Sequence, residues 1–137
     1  MKIKDHLAYI IATVNKQLED ELQDRLREEG MPIEQLRILE VLAGYDGLPM
    51  GELATQALIE PTTLTKMIDR MTADGLVERS LDEADRRRVL VVLAPAGKAA
   101  FRRLSRITNS QEARIKKRMP EAKLVELRSL LRGLAQG

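Results

Sequence analysis

The stretch Asp85–Leu93, DRRRVLVVL, sets three adjacent arginines directly before a β-branched apolar run. The two halves make opposite demands. Neighbouring guanidinium groups repel one another and stay in water or beside anions, whereas the valines and leucines favour a strand with a buried face. Upstream, Leu76-Val77-Glu78-Arg79-Ser80 reads as a second strand, and the polar segment LDEADRR lies between the two. Residues 76–80 and 88–93 are therefore predicted to form a β-hairpin with a cationic tip.

Outward from this hairpin the chain reads as helical. PTTLTKMIDRMTADG (61–75) precedes it, with Pro61 suited to a first helical turn and Gly75 to a C-terminal cap. Leu64, Ile68 and Met71 repeat at helical spacing and should face a core. Before it come MGELATQAL (50–58), the turn cluster GYDGLP, and a helix over 33–43 with Leu36, Leu39 and Leu42 inward. Residues 3–29 place Ile3, Leu7, Ile10, Val14, Leu18, Leu22 and Leu26 along one stripe of a long helix, which Gly30 and Pro32 end. After the hairpin, Pro95 and Gly97 lead into a basic helix over 96–119. Pro120 opens a last helix with Leu124, Leu127, Leu131 and Leu134 on one side. The predicted fold is mainly α with a small β-hairpin.

Bulk properties narrow the function. A chain of 137 residues and 15.5 kDa is most simply one domain, and 44% hydrophobic residues suffice for a core. No Cys is present, which removes disulfides, thiolate catalysis and cysteine redox sensing. A single histidine, His6, gives no basis for a zinc site of ordinary composition, so neither metal nor cofactor is expected. No nucleophile motif or Gly-rich phosphate loop points to an enzyme, and no catalytic residue is assigned. Aromatic content of 2% argues against stacking platforms for single strands. The N-terminus MKIKDHLAYII lacks the features of a signal peptide, and no apolar run suits a membrane span, so a soluble cytoplasmic protein is expected.

Two short helices joined by a tight turn form a helix-turn-helix, whose second helix can enter a DNA major groove. With Leu64, Ile68 and Met71 inward, Thr62, Thr63, Thr65, Lys66 and Arg70 fall on or beside the outward faces, where they reach phosphates and base edges. The hairpin then acts as a wing holding Arg86 and Arg87 beyond the body of the domain. An arginine there can enter a narrow, electronegative minor groove. The long outer helices carry apolar stripes that a core built from 33–94 cannot cover, and a second copy of the chain is the economical partner.

The run DRRRVLVVLAPAG resembles the wing signature of the MarR family of winged-helix transcription regulators, D-x-R-x-x-x-V-x-L-T-x-x-G. Asp85, Arg87, Val91, Leu93 and Gly97 fall on signature positions, and Ala94 stands where the signature has threonine. ELATQALIEPTTLTKMIDRMTADGLVER is similar to the family's helix-turn-helix and first wing strand. The resemblance implies a winged helix-turn-helix lobe over 33–94 flanked by dimerisation helices over 1–29 and 96–136. It implies that Arg87 inserts into the minor groove, that Asp85 orients it, and that Val91 and Leu93 are core. It implies a homodimer on a pseudo-palindromic double-stranded DNA operator, most often as a repressor, with possible release by a small-molecule effector such as an aromatic acid. Such a ligand would bind between the dimer helices and the DNA-binding lobe, where His6, Tyr9 and Arg37 are candidate lining residues. The alternative for those three is half-exposed dimer residues and a surface ion pair. The alternative for the whole chain is a winged-helix protein-interaction adaptor without DNA binding.

Overall fold

The computed structural model describes residues 1–137. In chain order the elements are a 3-10 turn at Ile3–Asp5, then α1 (Leu7–Arg27), α2 (Ile33–Leu42), β1 (Leu48–Pro49), α3 (Met50–Ala57), α4 (Pro61–Ala73), β2 (Val77–Leu81), β3 (Val89–Leu93), α5 (Pro95–Arg118) and α6 (Glu121–Gln136). The chain divides into two compact units, residues 1–105 and 106–137. No helix is long and apolar enough to cross a membrane.

In the first unit the core forms where apolar stripes of α2, α3 and α4 meet the sheet. Leu36, Ile38, Leu39 and Leu42 of α2, Leu53 and Ala57 of α3, and Leu64, Ile68 and Met71 of α4 are all buried, as are Val77 and Val91 of the sheet. Full burial of one such aliphatic side chain stabilises by roughly 1.5–3 kcal/mol, so this cluster dominates the energetics of the lobe.

Most element ends fall within a residue or two of the sequence reading, and two departures are larger. The first helix begins at Leu7 rather than Ile3, because Ile3–Asp5 closes a tight turn and His6 is extended at φ −75°, ψ 132°. Residues 1–7 are all exposed, so no packing offsets the entropy of an added helical turn. The segment GYDGLP is also more than a turn. Leu48 and Pro49 pair with Val91 and Leu90, which makes the sheet three-stranded, antiparallel, in the order β1-β3-β2. Leu48 is buried there, and Pro49 is tolerated because β1 lies at the sheet edge.

The hairpin itself is present over Val77–Leu81 and Val89–Leu93, in the register Arg79 opposite Val91 and Leu81 opposite Val89. Gly97 has a steric reason. A Cβ there would lie 2.0 Å from the Leu76 carbonyl oxygen, which also accepts the Ala94 N–H at 3.0 Å. Only glycine lets the first turn of α5 approach the root of the hairpin this closely.

The apolar stripe of α1 is buried only at its C-terminal end, at Leu22 and Leu26; Leu7, Ile10, Ile11 and Val14 are exposed. In the second unit, Arg128 of α6 pairs with Glu112 of α5, and Leu127, Leu130, Leu131 and Leu134 are exposed.

Candidate nucleic-acid interface

Helices α3 and α4 are joined by Leu58, Ile59 and Glu60. Leu58 adopts a left-handed conformation at φ 60°, ψ 40°, and Ile59 turns inward and is buried. Burial of Ile59 holds the turn tight while Pro61 opens α4 with φ already suited to a helix.

On α4, Leu64, Ile68 and Met71 are fully buried, and the opposite face carries the expected polar set. Thr62, Thr63, Thr65, Lys66 and Arg70 are all exposed. Thr62, Lys66 and Arg70 follow one another at one-turn intervals and share a single stripe. The Thr65 hydroxyl donates to the Pro61 carbonyl at 3.1 Å, so its oxygen faces outward only as an acceptor. Arg79 of β2 donates to Asp69 Oδ1 at 2.5 Å and lies 3.5 Å from Thr72 Oγ1, which fastens the hairpin to α4.

The tip between β2 and β3 is organised by its own hydrogen bonds. Asp82 Oδ1 accepts the Ala84 N–H at 2.9 Å, the Asp82 N–H donates to the Arg88 carbonyl at 3.0 Å, and the Arg88 N–H donates to the Asp85 carbonyl at 2.9 Å. The three arginines then take three different courses. Arg86 is exposed at the tip. Arg87 donates from its backbone N–H and from Nε to the same oxygen, Asp85 Oδ1, each at 3.1 Å, and its side chain is 92% exposed. Those two bonds hold the Asp85 carboxyl below the usual carboxylate range. Arg88 turns back to the body, 3.8 Å from Asp82 and 3.6 Å from Glu52 of α3. The repulsion inherent in the run is relieved because two of its three cations face carboxylates.

His6, Tyr9 and Arg37 do not converge within the chain. Arg37 pairs with Glu19 at 3.3 Å, and Glu19 lies about 15 Å further along α1 than Tyr9 at a helical rise of about 1.5 Å per residue. Tyr9 instead lines a shallow groove with Lys4, Ile10, Thr13 and Val14, and His6 is exposed. Sequence reasoning missed Arg88, Glu52 and Asp82 as a group, and Arg79 with Asp69. The sequence signal for the first was present in part: the third arginine directly precedes a buried-face strand, so its side chain cannot project as far as those at the tip.

A helix-turn-helix whose second helix shows a hydroxyl-and-cation face, followed by a hairpin with a tethered arginine, defines a winged helix-turn-helix protein. The profile of the MarR family matches residues 29–88. The chain is 34% identical over 107 residues to the HTH-type transcriptional regulator YsmB of Bacillus subtilis, covering 78% of this chain and 67% of that protein. It is 25% identical over 128 residues to the HTH-type transcriptional repressor IacR of Pseudomonas putida, covering 93% and 77%. Among solved structures, a MarR family transcriptional regulator from Silicibacter pomeroyi superposes with a TM-score of 0.90 at 29% identity, over 98% of this chain and 91% of that one. The chain belongs to the MarR family.

Proposed function

We propose that this protein is a homodimeric, sequence-specific regulator of transcription that binds double-stranded DNA, of the repressor type. Helix α4 lies in a major groove, with Lys66 and Arg70 on phosphates and the threonines on phosphates or base edges. Arg87, held by Asp85, enters the adjacent minor groove, and Arg86 adds charge at the tip. The observation that carries the reading is the pairing of an exposed cationic stripe on α4 with an exposed but tethered arginine on the neighbouring hairpin. Relatedness to a protein named as a repressor supports the sign of regulation.

The dimer is supported by the exposed apolar residues at the start of α1 and along α6. Monomeric proteins rarely leave such patches in contact with water. Two copies related by a two-fold axis would present two α4 helices to half-sites about one DNA turn apart, which calls for a pseudo-palindromic operator. A small-molecule effector would act by favouring a dimer whose helices no longer match that spacing.

The test is selection of bound duplexes from a random pool by the full chain, together with sedimentation analysis. Enrichment of a pseudo-palindrome by a dimer supports the reading. A monomer that binds no duplex in a salt-dependent manner overturns it and selects the protein-interaction adaptor.

A further inference from the structure

We infer that Glu60, the residue before α4, determines base specificity by accepting a hydrogen bond from the exocyclic amino group of a cytosine in each half-site. The inference rests on the DNA-binding reading above and adds to it the base that the leading end of α4 selects.

Three observations give that end the character of an acceptor. Glu60 is the N-cap residue of α4 and is exposed, yet its carboxylate does not cap the helix and meets no cation within the chain. By contrast, Glu52 on α3 and Asp69 on α4 are engaged by Arg88 and Arg79. Pro61 follows directly and has no N–H, which removes one of the backbone donors with which a helix start holds a phosphate. The Thr65 hydroxyl donates its proton to the Pro61 carbonyl, which leaves its oxygen to accept.

The cations of α4 lie behind this end. At a helical rise of about 1.5 Å per residue, Lys66 and Arg70 stand about 9 and 15 Å further along the axis than Glu60. The later turns of α4 therefore suit phosphates, and its start suits base edges, which is the end that a recognition helix brings to the bases.

Chemistry then narrows the base. A carboxylate near phosphates is repelled unless it finds a donor, and the donors in the major groove are the amino groups of cytosine and adenine. Adenine sets its N7 acceptor beside that amino group, where it opposes the second carboxylate oxygen. Cytosine carries no acceptor there, so it is the base that a carboxylate fits. Glutamine, which both donates and accepts, fits adenine instead through N6 and N7.

The experiment selects duplexes from a random pool with the full chain and with its Glu60→Gln and Glu60→Ala variants, each checked for unchanged circular dichroism and oligomeric state. The unaltered chain is expected to enrich one G·C pair in each half-site that becomes an A·T pair with Glu60→Gln and unspecified with Glu60→Ala. On the selected duplex, exchanging that cytosine for a pyrimidinone that lacks only the amino group should weaken the unaltered chain roughly tenfold and leave Glu60→Ala unaffected. If all three chains enrich the same sequence, or Glu60→Ala tightens binding to every duplex alike, the carboxylate is only a solvated charge at the helix start. The inference then fails while the DNA-binding reading stands. An unaltered chain that enriches no duplex overturns both.

Discussion

Asp85 and Arg87 are joined twice through one oxygen, with Asp85 Oδ1 accepting both the backbone N–H and the Nε of Arg87 at 3.1 Å. This leaves the two terminal nitrogens of the guanidinium outside the pair, on a side chain that is 92% exposed. The carboxylate aims the arginine without consuming its outer donors. Arg87→Ala should therefore weaken duplex binding by roughly ten- to a hundredfold, in line with about 1–3 kcal/mol for a groove arginine, while the circular dichroism and oligomeric state stay unchanged. Fluorescence anisotropy at fixed salt is the measurement, and full retained affinity would exclude the wing assignment.

The same pair fixes a pH dependence. The Asp85 carboxyl is held below its ordinary value by Arg87, and a depressed carboxyl contributes its stabilisation above the unfolded value of about 3.9. That contribution is lost only as pH falls through the lower, folded value. The tether should thus be complete across the neutral range and released in acid. Carboxyl-detected NMR of Asp85 should show a midpoint below about 3.9, whereas a midpoint at or above it would mean the pair does not persist in solution.

Arg88 and Lys66 should separate by salt dependence. Lys66 is exposed on α4, and on a phosphate it would contribute roughly one unit to the slope of log affinity against log salt, lost in Lys66→Ala. Arg88 faces Glu52 and Asp82, so Arg88→Gln should loosen the hairpin relative to α3 and weaken binding a few-fold with the slope preserved. A slope that falls in Arg88→Gln as in Lys66→Ala would make Arg88 a phosphate contact instead.

Two glycines should respond oppositely to a methyl group. At Gly97 the new Cβ would meet the Leu76 carbonyl oxygen at 2.0 Å, a backbone atom that cannot swing aside. Gly97→Ala should cost about 1–3 kcal/mol or more, read as a fall in Tm of several degrees. At Gly51 in α3 nothing lies within 4 Å of the added atom, and Gly51→Ala should stabilise by roughly 0.5–1 kcal/mol. Thermal unfolding of the two variants side by side checks both signs.

The parts legible in the sequence are those whose signal is local. Leu64, Ile68 and Met71 announce the inner face of α4 by spacing alone, and all three are fully buried. The hairpin follows from a β-branched apolar run and a polar tip, and its pairing lies within a residue or so of the expected ends. β1 was hidden because two residues, Leu48 and Pro49, carry no alternation to detect. The partners of Arg37 and Arg88 were hidden because Glu19 and Glu52 sit on other helices, and only the packing brings each charge opposite its counterpart.

The missing side chain at Gly97 has a mechanical meaning. With the Leu76 carbonyl bonded to Ala94 and pressed against Gly97, the base of the hairpin and the opening turn of the longest helix are welded at one peptide group. The hairpin and the helix that follows it therefore share one point of closest approach, set by the absence of a single methyl group.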